Sequence, residues 1–438
     1  MNESDDIFTA RGSVLIAGAI IDGSTVDIAI DETGMIAGIG KDAKKTIDAD
    51  IVIDGSDRLA VPGLVNTHTH AAMTLLRGYA DDMILQDWLS QKIWPLEAHL
   101  TGDDVYAGTK LACLEMIKSG TVAFNDMYFF MDRAADAVDE MGMRATLAYG
   151  FIDLSIPEKR EAEIKATETL VRHIQSLNNP RIRAAVGPHS VYTVSPEGLS
   201  WCAEYAKDQD IGIHVHLSET EKEVVDCVAQ FGKRPAALLD GCGCLTPRTV
   251  AAHCCWLDEA ECRLLGQRGV SASHNPASNM KLAVNRAMPY HWLKASGANV
   301  CLGTDGCSSN NNLDMLEEMK FAALLQKFAW NSPTLLPAGE AVTMASAAGA
   351  RALGTGPGTL TVGAPADIIL LDARAVCNTP LYHAGSNLVY ACNGDAVMTV
   401  LCQGRVLMHE RTVPGEEAIL EGAAAAARSL VGRAEEAS

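Results

Sequence analysis

The sequence contains no uncharged apolar run approaching the ~20 residues that a membrane-spanning helix needs. Positive charge is also scarce: 35 Lys and Arg stand against 55 Asp and Glu, a formal net charge of −20. So acidic a balance argues against nucleic acid, anionic membranes and other polyanions as partners, and reads as a solvated surface. The opening residues, Met1-Asn2-Glu3-Ser4-Asp5-Asp6, lack the basic and apolar blocks of a secretion signal, so a soluble cytoplasmic protein is expected. The 13 cysteines lack the Cys-x-x-Cys spacing of a structural zinc site, with Cys242-Gly243-Cys244 and Cys254-Cys255 as the nearest approaches. They read as reduced thiols, and Cys301 and Cys402 lie in apolar runs where cysteine serves as a small hydrophobe.

What is present is enough apolar material, 48% of 438 residues, to bury a large core, and a length that suggests two or three domains. Both ends read as short antiparallel strands between glycine turns. At the front these are 14–17, 27–30, 35–39 and 51–53, punctuated by Gly18, Gly23, Gly34 and Gly40. At the back they are 367–371, 398–402 and 406–408, followed by an Ala- and Glu-rich, helix-prone tail from Gly415. The middle changes rhythm. Near-continuous apolar runs at 64–66, 121–124, 145–149, 182–186, 212–217, 249–253, 269–273 and 300–303 alternate with helical patterns, as in a buried parallel sheet. Helices are expected at 131–141, 158–177, 196–208, 219–231, 258–267 and 314–329, with a further one opened by Thr101-Gly102-Asp103-Asp104 and closed by Gly120. No glycine-rich phosphate loop follows the first run, which disfavours a doubly wound sheet. The expected class is therefore α/β: a (β/α)8 TIM barrel over 62–357, with a small composite β-sandwich domain built from 1–61 and 358–438.

In such a barrel the reactive residues sit at the C-terminal ends of the strands. The first run ends in His68-Thr69-His70, whose alternate side chains share one face. The fourth ends in His189, the fifth carries His214 and His216, the sixth ends in His253, the seventh in His274 and the eighth in Asp305. Seven of the twelve histidines fall at these ends, which points to a metal centre. His68, His70, a strand-five histidine and Asp305 make a ligand set for zinc, with Fe2+ or Mn2+ as alternatives. His214 and His216 share a face, so both stay open, although His216 lies nearer the strand end. No lysine stands near His189 to bridge a second ion, so one divalent metal per chain is expected. Such an ion would bring the pKa of a bound water to about 7. Asp305 and His253 could then hold and deprotonate that water, and Glu219, three residues after His216, could carry a proton. The bland alternative for Glu219 is an acid in the first turn of a helix.

These residues lie in stretches that resemble the amidohydrolase superfamily, in particular its mononuclear branch of 5′-methylthioadenosine/S-adenosylhomocysteine and 5′-deoxyadenosine deaminases. The matching stretches are Pro-Gly-Leu-Val-Asn-Thr-His-Thr-His-Ala-Ala-Met-Thr-Leu-Leu-Arg-Gly (62–78), Trp-Pro-Leu-Glu (94–97), His-Leu-Ser-Glu (216–219), Ser-Asn-Met-Lys-Leu-Ala (278–283) and Gly-Thr-Asp-Gly-Cys-Ser-Ser-Asn-Asn-Asn-Leu-Asp-Met (303–315). The resemblance implies metal ligands His68, His70, His216 and Asp305, a proton shuttle at Glu219 and a water-orienting His253. It implies nucleoside contacts from Glu97 and His189 and packing of Trp88 on the substrate. The implied reaction is hydrolytic deamination of 5′-modified adenosines (5′-deoxyadenosine, 5′-methylthioadenosine, S-adenosylhomocysteine, adenosine) to inosine analogues and ammonia, by a homo-oligomer. Guanine deamination and s-triazine hydrolysis are the rival activities, and a catalytically inactive scaffold the different-class rival. Two departures stand out. Tyr149 occupies the end of strand three, where relatives commonly carry an arginine suited to a charged tail, which favours uncharged 5′ groups unless Arg144 or Arg77 substitutes. Val284-Asn285-Arg286-Ala287-Met288-Pro289 replaces a small, glycine-containing loop at the rim.

Overall fold

The computed structural model describes residues 7–9 and 12–437. Met1–Asp6, on which the expected lack of a secretion signal rests, lie outside the described residues.

Five strands open the chain: β1 (Val14–Ile21), β2 (Ser24–Ile30), β3 (Ile36–Gly40), β4 (Ile51–Asp54) and β5 (Arg58–Pro62). The β1–β2 hairpin turns on Asp22-Gly23, both at positive φ (47° and 76°), the conformation that matches the twist of paired strands. Eight strands follow: β6 (Leu64–Thr69), β7 (Thr121–Tyr128), β8 (Arg144–Phe151), β9 (Ile182–Pro188), β10 (Gly212–Leu217), β11 (Thr249–His253), β12 (Ser271–His274) and β13 (Asn299–Leu302). The last three are β14 (Ile368–Asp372), β15 (Val397–Cys402) and β16 (Arg405–Met408).

β6 to β13 form one eight-stranded sheet in sequential order, its neighbours parallel throughout. Side chains and loops close the seam between β13 and β6: Thr67 Oγ1 donates to the Leu302 carbonyl at 2.8 Å, and Asp305 N to the His68 carbonyl at 3.0 Å. The result is a nearly closed barrel. Its helices begin where local chemistry directs. Thr101 and Asp104 form a capping box on Gly102–Lys118, Asp258 and Glu261 another on Glu259–Arg268, and Asp314 caps Met315–Ala329. The helix expected from 219 starts instead at Glu221 with Thr220 as its cap, which leaves Glu219 in the preceding turn.

The second sheet runs β16-β15-β14-β5-β1-β2-β3, with β4 beside β1. The glycine-punctuated runs predict antiparallel strands, but β1 pairs parallel with both β4 and β5, so the sheet is mixed. All eight strands contribute to one apolar cluster that includes Ile16, Ile28, Ile36, Ile53, Ala60, Ile368, Leu401 and Val406, so the sheet wraps upon itself. β14 shows why its sequence reads as one continuous apolar run. Ile368 and Leu370 enter this cluster, while Ile369 and Leu371 point the other way into the main core. The tail helix Glu416–Ala437 packs Ile419, Ala423 and Leu430 into that main core and pairs Glu416 with Lys118 at 2.6 Å. No helix among the described residues is long and apolar enough to cross a membrane.

Candidate active site

The C-terminal ends of the barrel strands bring their imidazoles together. The ligand atoms of His68, His70 and His216 lie within 4.8 Å of one another, as do those of His68, His253 and Asp305. Asp305 Oδ1 stands 3.4 Å from His68 Nε2 and 3.3 Å from His70 Nε2. Outer contacts aim these atoms. His70 Nδ1 donates to the Met127 carbonyl at 2.5 Å and His216 Nδ1 to the His189 carbonyl at 2.8 Å, which turns both Nε2 lone pairs toward the centre. His68 Nδ1 contacts His214 Nε2 at 2.8 Å, so His214 stands behind the first histidine, and the strand-five member of the central group is His216. Ser278 and Ser309 donate to Asp305 Oδ2 at 2.6 and 3.0 Å, leaving Oδ1 for the centre.

The electrostatics suit a cation. Burial pushes the His68 imidazole down to about 4 and holds His216 well below its ordinary range, so both present neutral nitrogen lone pairs at neutral pH. Burial opposes ionisation of Asp305, but the surrounding imidazoles of His68, His253 and His70 together outweigh it and keep the carboxyl well below the usual carboxylate range. His68 Nε2 is fully buried and has no hydrogen-bond partner. A buried polar atom without a partner is costly, and a metal ion at this point would satisfy it. The backbone around the centre is strained as well. Ser218, His253 and Asp305 hold positive φ (49°, 69° and 65°), a conformation that non-glycine residues keep only where the surroundings enforce it.

Around this centre lies a cavity of about 160 Å³, whose lining includes Trp88, Glu97, His189, Glu219 and His253. Burial, reinforced by Asp305, raises the Glu219 carboxyl to about 8. His253 Nδ1 stands 3.8 Å from it and 2.9 Å from Asn279 Nδ2. His189 directs Nδ1 at the hydroxyls of Ser190 and Thr193, at 3.1 and 2.9 Å. Trp88 is buried and tethered by Nε1 to the Ala80 carbonyl at 3.0 Å. Tyr149 is not brought into this group. It shares the face of Leu147 and Phe151, the latter stacked on Trp201, while Gly150 and Ile152 on the alternate face line the cavity. Neither substitute arginine reaches the site: Arg144 pairs with Asp367 at 2.7 Å, and Arg77 with Glu115 at 2.9 Å. No Lys or Arg is among the described residues that line the cavity. At the rim, Arg286 of the replaced loop stacks over Trp256, 5.3 Å from its ring centre.

Several supporting residues escape a reading confined to strand ends. Ser278, Asn279 and Ser309 lie in the motif stretches, where their side-chain chemistry was the available signal. Glu223, buried, accepts from the backbone N–H groups of Ser218 and Glu219 at 2.8 and 2.9 Å, and so holds the turn that carries Glu219. The end of β7 bears no histidine, yet three successive residues there serve the site. Asp126 accepts from Ala71 N at 3.0 Å, Met127 accepts from His70, and Tyr128 donates to Glu97 Oε1 at 2.6 Å.

A nearly closed parallel barrel with converging imidazoles and a carboxylate at its C-terminal mouth defines the barrel hydrolases. The chain belongs to the amidohydrolase family, whose sequence pattern matches residues 59–407. It is 66% identical to a 5′-deoxyadenosine deaminase of Methanoregula boonei, over 99% of this chain and 98% of that one. It is 49% identical to 5-methylthioadenosine/S-adenosylhomocysteine deaminase 1 of Archaeoglobus fulgidus, over 89% and 92% of the two chains. Among solved structures, an adenosine deaminase of Xanthomonas campestris with bound zinc superposes with a TM-score of 0.89 at 36% identity, covering 97% of this chain and 98% of that one.

Proposed function

We propose that this chain is a metal-dependent deaminase of 5′-modified adenosines, converting them to the inosine analogues and ammonia, with uncharged 5′ groups preferred over the amino-acid tail of S-adenosylhomocysteine. One observation carries the reading: a buried Glu219 carboxyl, held largely protonated at neutral pH, shares a single cavity with His70, His216 and Asp305, which converge on the buried His68. The names of the relatives point the same way.

His68, His70, His216 and Asp305 would hold one divalent ion, zinc first, and the unpartnered Nε2 of His68 supports that fit. When bound, the ion supplies a water of lowered pKa and neutralises charge that develops on oxygen. The protein's own groups do the rest. His253 and Asp305 hold the attacking water and take its proton as the oxygen bonds to C6 of the purine. Glu219 donates its proton to the adjacent ring nitrogen, so the ring accepts the electron pair without building up negative charge. Protons then pass through Glu219 and Asp305 to the amino group, the C6–N bond breaks and ammonia leaves; the sum is nucleoside plus water to inosine analogue plus ammonia. Glu97 and His189 would receive the ribose hydroxyls, and Trp88 would pack against the nucleoside. The uncharged 5′ preference rests on the absence of Lys and Arg among the described lining residues and on the commitment of Arg144 and Arg77 elsewhere.

The test is ammonia release by zinc-loaded protein from 5′-deoxyadenosine, 5′-methylthioadenosine, adenosine, S-adenosylhomocysteine and guanine. Turnover of the 5′-modified adenosines is expected. No turnover of any 6-aminopurine nucleoside would overturn the activity, and a clear preference for S-adenosylhomocysteine would overturn the uncharged 5′ group.

A further inference from the structure

We propose that Tyr128 is the positioning residue that makes Glu97 a selective acceptor for the vicinal diol of the substrate's ribose. This role rests on the nucleoside reading above and adds a specificity determinant to it. Glu97 ends the short helix Trp94–Glu97, which follows a π-turn, Leu89–Ile93, in the long segment after β6. A carboxylate on such a segment is poorly fixed by its own backbone. Tyr128 is the last residue of β7, a strand buried along its whole length, and its side chain is buried too. Its hydroxyl donates to Glu97 Oε1 at 2.6 Å, a charge-assisted contact that ties the loop carboxylate to the barrel wall.

Toward the ionised carboxylate the hydroxyl is the donor. Burial, with the neighbouring Glu97, keeps the Tyr128 phenol protonated far above neutral pH. Glu97 is thereby left as an acceptor, and an acceptor fixed in place discriminates sharply between a substrate with hydroxyls and one without, because its partner's absence leaves a buried polar group unpaired. Burial raises the Glu97 carboxyl to about 7, against the Tyr128 hydrogen bond and the charge of His70, which both lower it. The tail helix packed behind this segment brings Arg433, but its guanidinium is engaged by Asp104 and the His99 carbonyl. Loss of the phenol hydroxyl therefore has two consequences. The carboxylate wanders, and its pKa climbs further.

The experiment compares kcat/KM for 5′-deoxyadenosine and 2′,3′,5′-trideoxyadenosine across pH 5.5–9 in wild type, Tyr128→Phe and Glu97→Gln, each zinc-loaded and checked for fold by circular dichroism. In wild type the diol substrate is preferred, and the preference fades as pH falls through about 7, where Glu97 gains a proton. In Tyr128→Phe the ratio of the two kcat/KM values falls by about tenfold, the size of a lost hydrogen bond to a charged group, and the fading moves to higher pH. Glu97→Gln removes that pH dependence. A Tyr128→Phe protein that folds and keeps both the wild-type ratio and its pH dependence overturns the role of Tyr128 and leaves the deaminase reading standing. Failure of the wild type to turn over either nucleoside overturns that reading and the role of Tyr128 with it.

Discussion

The two mouths of the barrel make opposite use of their space. The larger cavity, about 920 Å³, opens among the strand beginnings and is lined by Ile182, Gly212, Arg183, Arg248 and Arg351 among others. Its described lining holds no histidine, and the one carboxylate there, Asp210, is paired with Arg248 at 2.6 Å. Arg183 caps the carbonyls of Leu353 and Gly354 at 3.2 and 2.9 Å. The smaller cavity at the strand ends concentrates the displaced carboxyl and imidazole groups, the left-handed backbone and a buried nitrogen without a partner. Volume therefore does not mark the site. Convergent polar groups, each oriented by another residue and shifted from its ordinary pKa, do.

The sharpest way to break this contrast is to remove a ligand. His216→Ala, or dialysis against a chelator, should empty the centre and lower kcat/KM by more than about 10⁴-fold, within the range that the whole catalytic effect spans; metal content by mass spectrometry and ammonia release check it together. Glu219→Gln should keep the metal and lower kcat by about 10²–10⁴-fold. In wild type, kcat should decline as pH rises through about 8, because the raised Glu219 carboxyl loses the proton it must donate. A pH–rate profile of the two proteins decides this: a high-pH limb that persists unchanged in Glu219→Gln removes the acid role. Ser278→Ala removes one of the two hydroxyls that donate to Asp305 Oδ2 and should weaken metal affinity by about 10-fold, the lower end for loss of a residue that orients a ligand; competition with a zinc-sensitive dye measures it. At the other mouth, Arg351→Ala should leave kcat/KM within about twofold and stability within about 0.5 kcal/mol, as for an ordinary exposed position. A tenfold loss of activity there would show that the two mouths are coupled.

The strands of the barrel were legible because a buried parallel strand is written as a local apolar run. Starts and ends differ by only a few residues, as at β12, which begins at Ser271 rather than Gly269. The candidate ligands were legible for a related reason: a histidine that closes an apolar run lies at a barrel mouth whatever its neighbours do. Tyr149 shows the limit. A strand alternates its faces residue by residue, so the sequence alone does not say whether Tyr149 or Gly150 lines the cavity, and the packing of Phe151 on Trp201 reveals the phase. Tyr128 did not stand out in the sequence, since β7 ends without a histidine and its partner, Glu97, lies 31 residues earlier on an irregular segment. The second sheet was legible as strands at both ends of the chain, but its parallel pairings of β1 with β4 and β5 were not.

The chain by itself thus determined the chemistry available and its placement at strand ends, because side-chain identity and the two-residue period of a strand are local properties. Tertiary structure decided the partnerships. It put His216 in the central group with His214 behind His68, gave one oxygen of Asp305 to Ser278 and Ser309, and hung Glu97 on the Tyr128 hydroxyl. Each of these depends on where two distant segments meet once the barrel has closed, and no local pattern encodes that distance.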